Sequence, residues 1–136
     1  MANKFNRARF DRLLRAIPEN SRRELREALG RAAEVVTASQ RAFAPVDDGK
    51  LQASIRHDPV DESEGKIAVE IRAGGAGTTR RVRNGTSATY DYSLGVEFGT
   101  NDTPAQPFFF PGWRTNKKRV KSRVSRAVKK AVKQST

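Results

Sequence analysis

Few side chains in this sequence could make or break bonds. Asp47 and Asp48 are adjacent carboxylates, which could serve general acid–base catalysis or hold a divalent cation. No third acid lies close in sequence, and an Asp pair before Gly49 is ordinary turn chemistry at a helix-to-strand corner, which is the reading adopted. His57 could titrate near neutral pH, but no serine–acid pattern accompanies it and it reads as a surface residue at a strand end. No serine sits in a Gly-x-Ser-x-Gly elbow. Gly74-Gly75-Ala76-Gly77-Thr78-Thr79 resembles a phosphate cradle superficially, without the Gly-Lys-Ser/Thr ending or a strong following helix. The chain has no cysteine and one histidine, so disulfides and thiolate metal sites are excluded and a structural zinc site is not expected. The sequence thus predicts no catalytic, cofactor-binding or metal-binding residue, no cofactor, and a protein that is not an enzyme.

The chemistry that remains is that of contact. Tyr90 to Trp113 gathers both tyrosines, Phe98, Phe108, Phe109, Phe110, the only tryptophan, and Pro104, Pro107 and Pro111. Aromatic side chains supply contact area, and prolines fix the backbone that presents them. In a strand, burying Phe108 and Phe110 would expose Phe109, but the bracketing prolines favour an extended segment. Mixed core and interface packing is preferred here to pure core. A second kind of contact is electrostatic, because the formal charge is +12 and the pI near 10.9. Such a charge favours anionic partners and opposes free self-association. Arg80, Arg81 and Arg83 stand on a glycine-rich stretch, where partner contact and a merely solvated loop are both open readings. Lys117, Lys118, Arg119, Lys121, Arg123, Arg126, Lys129 and Lys130 crowd the C-terminal run, with Lys133 beyond and no acid among them. That imbalance exceeds a solvated face and points to an anionic partner. Duplex DNA is the obvious one, since phosphate attraction needs no base readout and no recognition motif is present.

These groups must be carried by a small scaffold. A chain of 136 residues fits one domain, 1–136, while 36% hydrophobic residues is lean enough that a neighbouring subunit is expected to complete some apolar faces. Phe5, Phe10, Leu13, Leu14 and Ile17 recur at helical steps, giving a helical arm over 1–20 that Pro18 ends or joins tightly to the next helix. Ser21 to Glu24 reads as a capping box, and Leu25, Leu29, Ala32, Val36, Ser39 and Phe43 form one seam on a helix of roughly 35 Å. Ala44-Pro45 stops it. Strands are expected at Leu51–His57, Ile67–Ile71 and Tyr90–Phe98, the last with Tyr92, Leu94, Val96 and Phe98 on one face. Residues 74–89 read as a long, flexible, basic loop, and 112–136 as a basic helix with a narrow stripe of Val120, Val124, Val128, Ala131 and Val132. The expected fold is α+β: an antiparallel sheet of about three to four strands against a long N-terminal helix, with a basic C-terminal helix. No signal peptide or apolar run long enough to span a bilayer is recognised, so a soluble, cytoplasmic chain without membrane contact is expected.

Two blocks carry a resemblance. Ala44-Pro45-Val46-Asp47-x-Gly49-x-Leu51-x-x-Ser54-Ile55 comes first; Tyr92, Val96-Glu97-Phe98-Gly99-Thr100 and Pro104-Ala105-Gln106-Pro107-Phe108 follow. In this order, between two helices, they resemble the tail-completion or head–tail joining (neck) proteins of long non-contractile-tailed phages, a family of tail components. The likeness spans roughly residues 25 to 130. Asp48 replaces a usual threonine, and Phe110 and Gly112 replace a more typical arginine and alanine.

The resemblance implies a virion structural protein of the head–tail junction, made in the host cytoplasm, that joins or seals the tail at the connector around the DNA channel. Its implied partners are copies of itself in a ring, expected sixfold (a hexamer), and other neck, connector and tail proteins. Non-specific contact with genomic DNA would fit a ring carrying on the order of +70. Val96, Glu97, Phe98, Gln106, Phe108, Phe109, Phe110 and Trp113 are the expected interface. Glu97 is assigned no catalysis; it is expected to pair with a base or satisfy backbone amides. The rival reading is a free, non-specific nucleic-acid-binding module, which accounts for the charge but not for the aromatic–proline block.

Overall fold

The computed structural model describes residues 8, 9, 12, 15–63 and 66–134. Its frame is a pair of long helices, α1 (Glu19–Phe43) and α4 (Phe109–Gln134). They run antiparallel: the Ser21 hydroxyl donates to Gln134 Oε1 at 2.7 Å at one end, and Gln40 Nε2 donates to the Phe109 carbonyl at 3.0 Å at the other. Of the expected N-terminal arm, Phe5, Phe10, Leu13 and Leu14 lie outside the described residues. Ile17 is buried with Leu25 and Ala131, and Ile67, Ala127, Val128 and Val132 pack around them.

The capping box is a correction. The helix begins two residues earlier than expected, at Glu19, after an extended Pro18, and no side chain caps it. Proline sets the entry angle, so Ser21 falls inside the first turn and turns to α4 instead. The C-terminal stop is as expected: Ala44 is extended before Pro45.

The expected strand at Leu51–His57 is instead a short helix, α2 (Lys50–Ser54), followed by β1 (Arg56–His57). Leu51 and Ile55 are one helical turn apart and both buried, whereas Ala53 is exposed. Together with Ala44 and Phe108 they form a second apolar cluster, against which Ala73, Tyr92, Val96 and Phe109 pack.

There is no single sheet of three or four strands among the described residues. Three two-stranded antiparallel ladders are present. β1 pairs with β4 (Ile71–Arg72), and β2 (Asp61–Ser63) with β3 (Lys66–Ala68). These are two parts of one hairpin whose register slips by one residue between His57↔Ile71 and Asp61↔Ala68. Pro59 lies in the longer arm of the slip; it has no amide to give to a ladder, so an interruption there is natural. The hairpin is tied to α1 by Glu62, which pairs with both Arg22 and Arg26.

Residues 74–89 are not an unstructured loop. A 3-10 turn (Ala76–Thr78) leads into β5 (Thr79–Arg81), which pairs with β6 (Thr89–Asp91). β6 runs directly into α3 (Tyr92–Phe98), so most of the third expected strand is helical.

Candidate functional site

The local physics of α3 explains the site. Asp91 is its N-cap, accepting the Ser93 amide at 3.0 Å. The same carboxylate takes the Thr78 hydroxyl at 2.6 Å and the Gly75 amide at 3.0 Å, which locks the 3-10 turn onto the start of the helix. Burial pulls the Asp91 carboxyl upward, but the hydrogen bonds from Thr78, Ser93 and Gly75 outweigh it and hold the group below the ordinary aspartate value. Gly99 closes the helix with φ +80°, and a Cβ there would lie 2.9 Å from the Ala105 nitrogen. A side chain would therefore meet both an unfavourable left-handed backbone and the returning chain.

α3 is inverted relative to an ordinary surface helix. Its most deeply buried side chains are polar, Ser93 and Glu97 one turn apart, while Tyr92 and Val96 are half-buried against the core cluster. Glu97 accepts the backbone amides of Phe108 at 2.8 Å, Phe109 at 2.9 Å and Phe110 at 3.1 Å. These are amides at the start of α4, which have no partner within their own helix, so α3 supplies the cap that α4 lacks locally. A carboxylate there also complements the positive end of the helix dipole. The connecting segment is held by the Gln106 amide on the Val96 carbonyl at 2.7 Å.

The outward face of α3 is apolar. Leu94 is 63% exposed and Phe98 66%. Phe110, 47% exposed, extends the patch, its ring centroid 6.2 Å from that of Phe98. Edge-to-face contacts continue inward, from Phe110 to Phe109 at 5.5 Å and on to Phe108 at 6.4 Å, which is 1% exposed. An aromatic series thus runs from core to surface, anchored at its inner end.

The residues expected at an interface therefore occupy different places. Phe98, Gln106 and Phe110 are exposed, while Val96, Phe109 and Trp113 are half-buried. Phe108 fills the core and Glu97 is an internal cap. Glu97 does satisfy backbone amides, as one of its two expected roles. Leu94 is not among the residues expected at the interface, although the expected strand places it on one face with Tyr92, Val96 and Phe98. In the helix Tyr92 and Val96 face the core cluster, and Leu94 joins Phe98 one turn on. The signals for this helix were present: Asp91 as a cap and Gly99 as a terminator, bracketing seven residues.

On the other side of α3 lies an open groove of about 380 Å³, lined by Pro45, Asp48, Leu51, Arg80, Tyr92 and Val96 among others. Arg80 sits 5.2 Å over the Tyr92 ring and 3.5 Å from Asp48. Burial, followed by the charge of Asp48, pushes the Tyr92 phenol up, against the pull of Arg80. Asp48 also accepts the Lys50 amide at 3.0 Å, as the turn reading requires. His57 is half-buried, with Nδ1 3.4 Å from the Asp58 carbonyl. Among the described residues no group of three His, Cys, Asp or Glu side chains could hold a metal ion, and no helix is long and apolar enough to cross a membrane.

The basic residues also separate. Arg80 is engaged in the groove, while Arg81 and Arg83 are exposed on the hairpin. Along α4, Lys117, Lys118, Arg119, Lys121, Arg126 and Lys129 are exposed and Arg123 is half-buried. Lys130 pairs with Glu24 of α1 at 3.5 Å. Gly112 and Asn116 form the buried edge of α4: a Cβ at Gly112 would collide with Gln40 Cγ and stand 2.9 Å from its Cα. Asn116 Nδ2 donates to Ser39 Oγ at 2.8 Å. Near the start of α4 the long helices therefore meet through glycine and amide side chains, and near its end through Leu25, Ala127, Val128 and Ala131, leaving the outer face of α4 to its cations.

Against known proteins, residues 8–99 match a family model described as "Bacteriophage HK97-gp10, putative tail-component". The match spans α1 through α3, including Glu97 and Phe98, and ends before the Gln106–Phe110 segment. No curated protein and no solved structure matched the chain.

Proposed function

The chain belongs to the HK97-gp10-like family of bacteriophage tail components, and from that premise we propose that it is a virion structural protein of the head–tail junction, joining or sealing the tail as a ring around the DNA channel. The observation that carries this reading is the inverted helix α3. Leu94 and Phe98 face solvent while Glu97, on the same helix, is fixed to the start of α4. A lone subunit gains nothing from an apolar surface held in this way. An assembling one gains a contact that is already ordered, so little conformational entropy remains to be lost on binding. The partners are further copies and the neighbouring neck, connector and tail proteins. The test is genetic complementation with Leu94→Ser/Phe98→Ser, followed by electron microscopy of lysates. Filled heads and separate tails are expected to accumulate unjoined; normal yields of joined particles would contradict the reading.

A second reading, a non-specific nucleic-acid-binding module, is favoured by one observation: α4 exposes Lys117, Lys118, Lys121 and Arg126 and carries no carboxylate. In the ring these cations would face genomic DNA or an acidic partner. Tight binding of naked duplex DNA by a chain whose loss leaves particle assembly intact would favour the module over the junction protein.

A further inference from the structure

We propose that ring closure is head to tail, with the Leu94–Phe98–Phe110 patch of one copy seated in the groove beside Tyr92 of the next. The inference rests on the ring reading above and names the contact that would build it. Leu94 and Phe98 lie two residues from Tyr92 and Val96 on α3, roughly 200° around the helix. The patch and the groove are therefore on opposite sides of one short element, as a repeating heterologous contact requires. The groove has the size of a small-ligand cleft, enough for an aromatic side chain, and its lining sets Pro45, Leu51, Tyr90, Tyr92 and Val96 beside charged Asp47, Asp48 and Arg80. Tyr90 is 50% exposed, and Val46, between lining residues Pro45 and Asp47, is 67% exposed.

Charge selects the occupant. The groove carries Asp47 and Asp48 in a chain of net charge +12. Asp48 faces Arg80 and Lys50, while Asp47 has no ion pair among the described residues. The patch is bordered by Arg114, exposed one turn beyond Phe110, with its Nε 3.4 Å from the Phe110 carbonyl. Seating the patch in the groove of a second copy brings Arg114 to the carboxylates. Packing patch against patch would instead bring two copies of Arg114 together, and like charges at one seam oppose that arrangement.

The chain has no cysteine, so introduced thiols are its only ones, and immunoblotting for this chain tells its own ladder from mixed disulfides with other virion proteins. Full-length Val46→Cys, Phe98→Cys and the double variant are oxidised, both as concentrated free protein and in purified virions, and resolved on non-reducing gels. In either preparation the double variant is expected to give a ladder rising from dimer to a closed limit, at least tenfold above either single variant. Asp47→Lys or Arg114→Glu added to the double variant should each cut the ladder severalfold, and the two together should restore it. Disulfide dimers from Phe98→Cys alone, at the yield of the double variant, would overturn the proposal in favour of patch-on-patch pairing. So would the lack of any ladder in virions that contain the chain, which leaves the junction reading standing. A ladder from a chain missing from virions would sink the junction reading and leave the contact.

Discussion

Glu97 Oε2 accepts the Phe108 amide at 2.8 Å, so a residue on one helix terminates the free end of another. Through this bond the exposed patch on α3 and the long basic helix α4 share one rigid reference. Removing the carboxylate with Glu97→Ala leaves buried amides without an acceptor. The expected cost is about 1–3 kcal/mol, with Tm lower by roughly 3–10 °C. Glu97→Gln keeps one acceptor oxygen and should fall between the two. Thermal unfolding followed by circular dichroism checks the order.

Phe108 and Phe98 should separate fold from assembly. Phe108→Ala empties a core position and is expected to cost about 3–5 kcal/mol. Leu94→Ser/Phe98→Ser, at two exposed sites, should leave stability within about 1 kcal/mol of the parent while abolishing incorporation into particles, whereas the single Phe98→Cys, which keeps an apolar side chain and the Leu94 half of the patch, should still be incorporated. Denaturant unfolding and particle composition, measured on the same variants, check the pair.

Gly112→Ala should loosen the helix pair. The added methyl would meet not only the Gln40 side chain but its Cα and nitrogen, both at 2.9 Å, and backbone cannot rotate away. A loss of about 1–3 kcal/mol is expected, with faster amide exchange along both α1 and α4.

Asp91 makes stability depend on acid in a defined direction. Its folded-state value is held below the ordinary 3.8, so the unfolded chain takes up the proton first as pH falls. The stabilisation from this carboxylate is complete above 3.8 and is lost as pH drops through the lowered value. Asp91→Asn should therefore be less stable than the parent at neutral pH, and the gap should narrow only in that acidic window. Urea midpoints measured from neutral pH downward test the sign.

Cumulative Lys→Gln changes at 117, 118, 121 and 129 address the basic face. Every phosphate that a variant no longer neutralises should reduce the slope of log K against log salt by about 0.9 on duplex DNA. An unchanged slope would assign this face to protein partners.

The long elements were legible because periodicity accumulates over many residues. The seam through Leu25, Ala32 and Val36 and the stripe from Val120 to Val132 each repeat through several turns, although Phe43, expected at the end of the seam, is exposed. The short elements were misread because period two and period four coincide on a few residues. Leu51 and Ile55, or Tyr92 and Val96, satisfy a strand face and a helical turn alike. Capping chemistry breaks the tie: Asp91 and Gly99 bracket a helix, and Asp48 turns the chain into another. Hydrophobicity also misled, because α3 buries Ser93 and Glu97 and exposes Leu94 and Phe98. Burial of Glu97 follows from the distant amides of α4, which no local pattern encodes, and exposure of Leu94 and Phe98 is what the proposed contact would use. The core place of Phe108 beside the exposed Phe110 follows from the helix start that Glu97 fixes.

The central claim is that the outer face of α3 is covered in the assembled virion. With no native cysteine, Phe98→Cys carries this chain's only thiol, and its labelling rate can be read on the chain's own gel band, from the free subunit and from purified particles. Rapid labelling of the free subunit and at least a hundredfold protection in the particle are expected. Equal labelling rates in both would contradict the account.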